Sequence, residues 1–64
     1  MAYKDYLLVA VLQLADGGEH WEDRCESFAS EADAERGAKT LARYVRSQHP
    51  NSKIVECYAQ EEPA

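Results

Sequence analysis

The chain has few of the residues that hold small extracellular proteins together. It contains two cysteines, Cys25 and Cys57, in 64 residues, which is too few for the disulfide framework of a small secreted domain. Its apolar runs are too short to span a bilayer, and its N-terminus lacks the basic segment and cleavage site of a signal peptide. These absences predict a cytoplasmic protein with reduced thiols.

Basic residues are also scarce. Twelve aspartates and glutamates against seven lysines and arginines give a net charge of −5. Such a surface is repelled by phosphate backbones and attracted to basic partners. The charge therefore disfavours direct nucleic-acid binding, although a basic face formed by Lys39, Arg43 and Arg46 keeps that function as an alternative.

The sequence lacks the patterns that carry catalysis or bind a cofactor. Asp16-Gly17-Gly18 has neither the glycine spacing nor the lysine of a phosphate-binding loop, and no Ser-His-Asp or Cys-His pattern is present. The histidines and cysteines lack the paired close spacing of a structural zinc site. They stand at His20, Cys25, His49 and Cys57. A sheet with one helix also offers no concave pocket of ordinary ligand size, so we expect no enzyme, no metal and no cofactor.

One long segment, residues 30–48, has helical periodicity. Ser30 is a good N-cap, and the acidic residues precede the basic ones, as the helix dipole favours. A small apolar stripe follows the spacing of one helix face, and it consists of Ala34, Ala38, Leu41 and Val45. Gly37 costs about 1 kcal/mol in a helix interior, which indicates a close approach to a sheet. Pro50 ends the helix because the residue before a proline is pushed out of the helical region.

Three other segments, residues 6–14, 21–28 and 52–60, have the character of strands. The first is apolar on both faces, which is typical of a central strand, and the Asp16-Gly17-Gly18 turn follows it. The second alternates charged residues onto one face, as an edge strand does. In the third, alternate residues are predicted to share one face of the sheet, namely Ile54, Glu56, Tyr58 and Gln60. The tail, residues 61–64, is expected to fray.

Together these segments predict one α+β domain over residues 1–64, a three-stranded antiparallel-type ββαβ sheet of order 2-1-3 with one helix packed on one face. This order keeps Cys25 and Cys57 on separate, non-neighbouring strands, and both are interpreted as small buried residues. One helix covers only one sheet face, and an exposed apolar face usually marks an interface. We expect a copy of this chain or another protein to cover the second face, with these candidates for it: Tyr6, Leu8, Val9 and Tyr58.

The hairpin is the second candidate surface. Trp21 follows the turn, where it is either a cap on the core or a binding anchor. The acidic residues cluster in the same hairpin and are candidates for contacting a basic partner. They are Asp16, Glu19, Glu22, Asp23 and Glu26.

The layout of the chain resembles that of small proteins encoded by bacteriophages, among them anti-CRISPR inhibitors of type I systems. The residues in question are Ser30-Glu31-Ala32, Ala38-Lys39 and Leu41-Ala42, then Pro50 and Ile54-Val55-Glu56-Cys57. The resemblance implies a non-enzymatic inhibitor that binds a host defence complex and blocks nucleic-acid access or nuclease recruitment. The alternatives are a homodimeric interaction module without inhibitory role, and nucleic-acid binding through the basic helix face.

Overall fold

The computed structural model describes residues 2–62 and has four elements in the order ββαβ. They are β1 (Lys4–Gln13), β2 (Glu19–Phe28), α1 (Glu31–Gln48) and β3 (Lys53–Glu61). The sheet order is β2-β1-β3, and β1 runs antiparallel to both neighbours. The predicted α+β fold and strand order are therefore confirmed.

β1 and β2 are longer than their sequence patterns predict, whereas β3 has the predicted length and is shifted by one residue. β1 begins at Lys4, and β2 begins at Glu19, two residues before the expected start. Glu61 belongs to β3 and forms an ion pair with Lys4 at 3.1 Å, while the Glu62 amide donates to the Asp5 carbonyl at 2.9 Å. The prediction of a frayed tail is thus wrong for Glu61 and Glu62, because pairing with β1 continues there. Pro63 and Ala64 lie outside the described residues.

The hairpin turn forms at the predicted residues. Gly17 adopts a positive φ of 91°, which glycine tolerates because it has no Cβ. Its amide donates to the Leu14 carbonyl at 3.0 Å, and the Leu14 amide donates to the Gly18 carbonyl at 2.7 Å. The Asp16 carboxylate accepts from the Gly18 amide at 2.9 Å, which holds the turn that aligns β1 with β2.

The helix begins and ends at the residues that the sequence predicts. Ser30 Oγ accepts a hydrogen bond from the Asp33 amide at 3.2 Å, and His49 is the C-cap. Asn51 follows with a φ of 68°, a left-handed conformation that asparagine adopts more readily than most residues. This turn returns the chain to β3.

The core lies between α1 and one face of the sheet, which we call the helix side. It contains the even-numbered residues of β1, whose side chains alternate to that face, and the small stripe of α1. Its buried members are Tyr6, Leu8, Ala10, Leu12, Ala34, Ala38, Leu41, Ala42 and Val45. The Tyr6 ring packs edge-on against Phe28, with centroids 6.1 Å apart.

This packing corrects two of the residues predicted for the uncovered face. Tyr6 and Leu8 are 4% and 1% exposed and belong to the core. The sequence does not indicate whether the even-numbered or the odd-numbered side chains of β1 face the helix, because both sets are apolar. Val9 and Tyr58 lie on the other face, as predicted.

A β-bulge in β3 corrects a further prediction. Glu56 pairs with Val11, but Ile54 pairs with Leu12, so Val55 is an extra residue between them. A bulge shifts the alternation of side chains by one residue. Ile54 therefore lies opposite a residue of the helix side and does not share a face with Glu56.

Candidate functional site

The candidate site is the sheet face that points away from α1, which we call the open face. Cross-strand partners have neighbouring side chains on one face. At the ends of the open face, Gln13 lies between Glu19 and Lys53, and Asp5 lies beside Ser27. Between them are three central rows with a β1 residue in the middle of each. The rows are Trp21–Val11–Glu56, Asp23–Val9–Tyr58 and Cys25–Leu7–Gln60.

The centre of the open face is less exposed than a bare sheet would be. Val9 and Val11 are only 5% and 2% exposed, because each lies on the central strand with a side chain of β2 on one side and of β3 on the other. The apolar surface that reaches solvent comes mainly from Trp21 and Tyr58, which are 59% and 36% exposed. Trp21 therefore lies beside the buried Val11 with most of its own side chain in solvent, and its two predicted roles, a cap or a binding anchor, both stay predictions.

Carboxylates flank these aromatic side chains. Asp23 stands across Val9 from Tyr58, and Glu56 stands across Val11 from Trp21. The Trp21 indole N–H also donates to Glu19 Oε1 at 3.3 Å. An aromatic patch with an acidic rim can bind a surface that offers apolar contact and positive charge.

The structure separates the acidic residues that the sequence grouped together. Glu19 and Asp23 lie on the open face with Trp21, whereas Glu22 and Glu26 pair with Ala10 and Tyr6 on the helix side. Asp16 lies in the turn. Glu56 joins the rim from β3 and was absent from the predicted binding set. Glu56 could have been included from the sequence, because it lies two residues before Tyr58 and alternate residues of a strand share a face.

Cys25 is exposed at one end of the open face, so the prediction that it is buried is wrong, whereas Cys57 is half-buried beneath α1. Both are free thiols. The Cys25 Sγ atom lies 3.6 Å from a carboxylate oxygen of Glu62. Desolvation, together with the hydrogen bond and negative charge of Glu62, raises the pKa of the Cys25 thiol. The acidic neighbours therefore disfavour the reactive thiolate.

Removing the charge of Glu62 should make Cys25 more reactive. We expect Glu62→Gln to lower the pKa of Cys25 and to increase its alkylation rate by iodoacetamide at neutral pH about twofold to fivefold, since the thiolate is the nucleophile. Mass spectrometry in a Cys57→Ser background measures the rate at this one site. Glu35→Gln, on the helix, is the matched control, and an unchanged rate in Glu62→Gln would show that this carboxylate does not act on Cys25.

The two histidines meet on the helix side of the sheet. The ring centroids of His20 and His49 are 4.4 Å apart, and His20 Nε2 lies 3.0 Å from Glu22 Oε1. Over residues 2–62, however, no three histidine, cysteine or carboxylate side chains converge as a metal site requires. The pair packs the C-terminal end of α1 against β2.

A cleft between α1 and β2 was missed by the sequence analysis, which expected no concave pocket. It has a volume of about 330 Å³, at the small end of ligand sites. Its lining residues are Arg24, Glu26, Phe28, Gly37, Thr40, Leu41 and Tyr44. It exists because α1 lies over β1 and β3 and leaves the helix side of β2 only partly covered.

The basic residues of α1 are exposed on its outer surface, as predicted, but they are not all free. Arg46 Nε donates to the Ser52 carbonyl at 3.2 Å, so it stabilises the turn into β3. Lys39 and Arg43 remain solvent-exposed. Within the described part of the chain, no helix has the length and hydropathy needed to cross a membrane.

Comparison with known protein families, curated proteins and solved structures gives no match to this chain. The site is therefore interpreted from its own geometry.

Proposed function

We propose that this protein is a non-enzymatic inhibitor that docks its open face onto a basic surface of another protein. The observation that carries the proposal is Trp21, which is 59% exposed and stands beside an acidic rim. Trp is among the residues most enriched in interface hot spots. Exposure of so large an apolar side chain to water is unfavourable, and binding of a partner over Trp21 would bury it.

Charge complementarity defines the partner's chemistry. Glu19 and Asp23 flank Trp21 along β2, and Glu56 stands next to Tyr58 along β3. The chain as a whole carries −5. Complementary charge steers encounter and suppresses wrong partners. The partner surface is therefore basic and has an apolar pocket or ledge that accepts the indole.

A protein that binds nucleic acid through a basic groove fits this description. The resemblance to phage-encoded inhibitors of type I CRISPR systems narrows the proposal to a host defence complex in the cytoplasm. The carboxylates of the open face would occupy the basic groove, and the bound inhibitor would exclude the nucleic acid by charge and by volume.

Stacking of two open faces, the alternative of a face-to-face homodimer, is less well supported. A two-fold stack would bring the acidic rims of both copies together around the aromatic side chains, and like charges at an interface oppose association. The basic face of α1, the other alternative, has one of its three cations engaged by the Ser52 carbonyl.

The test is an interference assay with charge-reversed variants. In a bacterium whose type I CRISPR system targets a phage, we expect the wild-type protein to raise plating efficiency at least about tenfold. Asp23→Lys should abolish this protection, because it reverses a rim charge where the partner is basic. Glu35→Lys, which makes the same charge change at an exposed position of α1, should retain it.

Circular dichroism of both variants checks that they are folded. Absence of protection by the folded wild-type protein in every type I system tried would reject the inhibitor function. Protection that survives Asp23→Lys would instead exclude the open face as the binding surface.

A further inference from the structure

The outer edge of β2 has a row of backbone groups that β1 does not use. The Leu14 amide donates to the Gly18 carbonyl at 2.7 Å, and bonded and non-bonded pairs alternate from there along an antiparallel ladder. The even-numbered residues of β2 therefore bond to β1, and the odd-numbered ones point their N–H and C=O groups outward. The bond from the Glu62 amide to the Asp5 carbonyl agrees, since it shows odd-numbered β1 residues turned towards β3.

An exposed edge of this kind is a template for another strand. Neighbouring charges normally block such pairing, and β2 has many of them. Whether they block a second copy of the same strand depends on the register, because in an antiparallel pair each residue meets one defined partner.

The charges of β2 select one symmetric register. When two copies pair about a two-fold axis, the residue on the axis lies opposite itself. Axes at Glu22, Asp23, Arg24 or Glu26 would each bring two like charges into direct opposition, which is destabilising. With the axis at Cys25, two neutral thiols lie opposite each other. The two copies of β2 also overlap over more residues than they would with an axis near either end of the strand.

The same register creates two ion pairs. With the axis at Cys25, Arg24 of each copy lies opposite Glu26 of the other, on the helix side of the joined sheet. Both side chains are exposed, and within residues 2–62 neither takes part in an ion pair. Asp23 meets Ser27 and Glu22 meets Phe28, so no like charges are directly opposed in residues 22–28.

We propose that two copies of this chain pair antiparallel along the free edge of β2, about a two-fold axis at Cys25. The product is a six-stranded sheet of order β3-β1-β2-β2-β1-β3, with both helices on one side. The two open faces then join into one continuous surface, so that a partner meets two copies of Trp21 and of the acidic rim. This pairing does not depend on the inhibitory function, and it leaves the open face free.

Charge exchange tests the register. Light scattering across a dilution series should show a dimer for the wild-type protein. Arg24→Glu replaces both ion pairs by repulsions and should weaken dimerisation at least about tenfold. The double variant Arg24→Glu/Glu26→Arg restores the opposite charges in exchanged positions and should recover the dimer, whereas Arg43→Glu, on α1, should leave it unchanged.

Cysteine crosslinking tests the axis independently. In a Cys57→Ser background, diamide should convert the dimer to a covalent Cys25–Cys25 species by taking up the two electrons and two protons of the thiols, because paired strands bring the two Cα atoms within disulfide reach. A Cys25→Ser variant that keeps Cys57 should not crosslink, since Cys57 is half-buried beneath α1.

Three results would overturn the proposal. If the protein is a monomer at every concentration, the β2 edge does not pair with a second copy and is either solvated or paired with a strand of another protein. A dimer that ignores Arg24→Glu, or that the double variant does not restore, would be joined elsewhere. A dimer that resists crosslinking through Cys25 would have a different axis.

Discussion

Truncating Leu8 to alanine is expected to lower the free energy of unfolding by about 2–5 kcal/mol, the usual loss for a fully buried leucine. Leu8 is 1% exposed beneath α1. A chain of this length has a total stability of about 3–10 kcal/mol, so the variant should be largely or wholly unfolded at elevated temperature. Thermal and urea denaturation followed by circular dichroism measure the loss.

The adjacent residue provides the control for this experiment. Leu7 is next in the same strand, is only half-buried and points to the open face. We expect Leu7→Ala to cost about 1 kcal/mol or less, since it removes fewer buried contacts. Equal losses at both positions would contradict the placement of α1 over the even-numbered residues of β1.

Enlarging Gly37 is expected to have the next largest effect on stability. A Cβ atom at this position would lie 2.6 Å from Cζ of Phe28 and 3.4 Å from Cδ1 of Leu8, and the first distance is shorter than atoms in contact allow. Leucine is a good helix former, so helix propensity alone would make Gly37→Leu stabilising. Overpacking of a tight contact costs about 1–3 kcal/mol, and we expect Gly37→Leu to be destabilising by that amount.

A double-mutant cycle identifies the cause. Phe28→Ala removes the ring that the new side chain would meet, so the Gly37→Leu/Phe28→Ala protein should be more stable than the sum of the single changes predicts. Ala32→Leu, at an exposed position of the same helix, should change stability little. Additive losses at positions 28 and 37 would show that the glycine is not required by Phe28.

These two experiments probe the same layer of the molecule, the contact between α1 and the sheet. The helix stripe is small near its start because the helix and sheet lie close together there, and Gly37 is the point where a side chain is excluded. The Phe28 ring occupies the space beside Gly37, packs against the edge of the core and lines the cleft beside β2. The cleft is therefore a consequence of the packing.

Local sequence signals were sufficient for the elements and their order. The Ser30 cap, the residues before Pro50 and the glycines of the hairpin each satisfy a need of the backbone that depends on their immediate neighbours. The apolar character of β1 on both faces placed it at the centre of the sheet. These features determined the ββαβ plan and the 2-1-3 order without any knowledge of distant contacts.

The site depended on relations between distant segments. Because β1 is apolar on both faces, its sequence could not say which parity meets α1, and Tyr6 and Leu8 were misplaced for that reason. The acidic residues of the hairpin looked like one cluster along the chain, but alternation in β2 divides them between two faces. The exposure of Trp21 could not be predicted either, because it depends on which face of β2 the helix covers.

The sequence by itself determined the fold, the acidic charge and the absence of recognisable catalytic motifs, because each is written in local patterns or in composition. Only the tertiary structure decided which face of the sheet is open, which carboxylates stand beside Trp21 and which backbone groups of β2 point outward. The physical reason is that side-chain parity in a sheet is set by the register between strands and by the bulge at Val55, and a shift of one residue moves every later side chain to the opposite face.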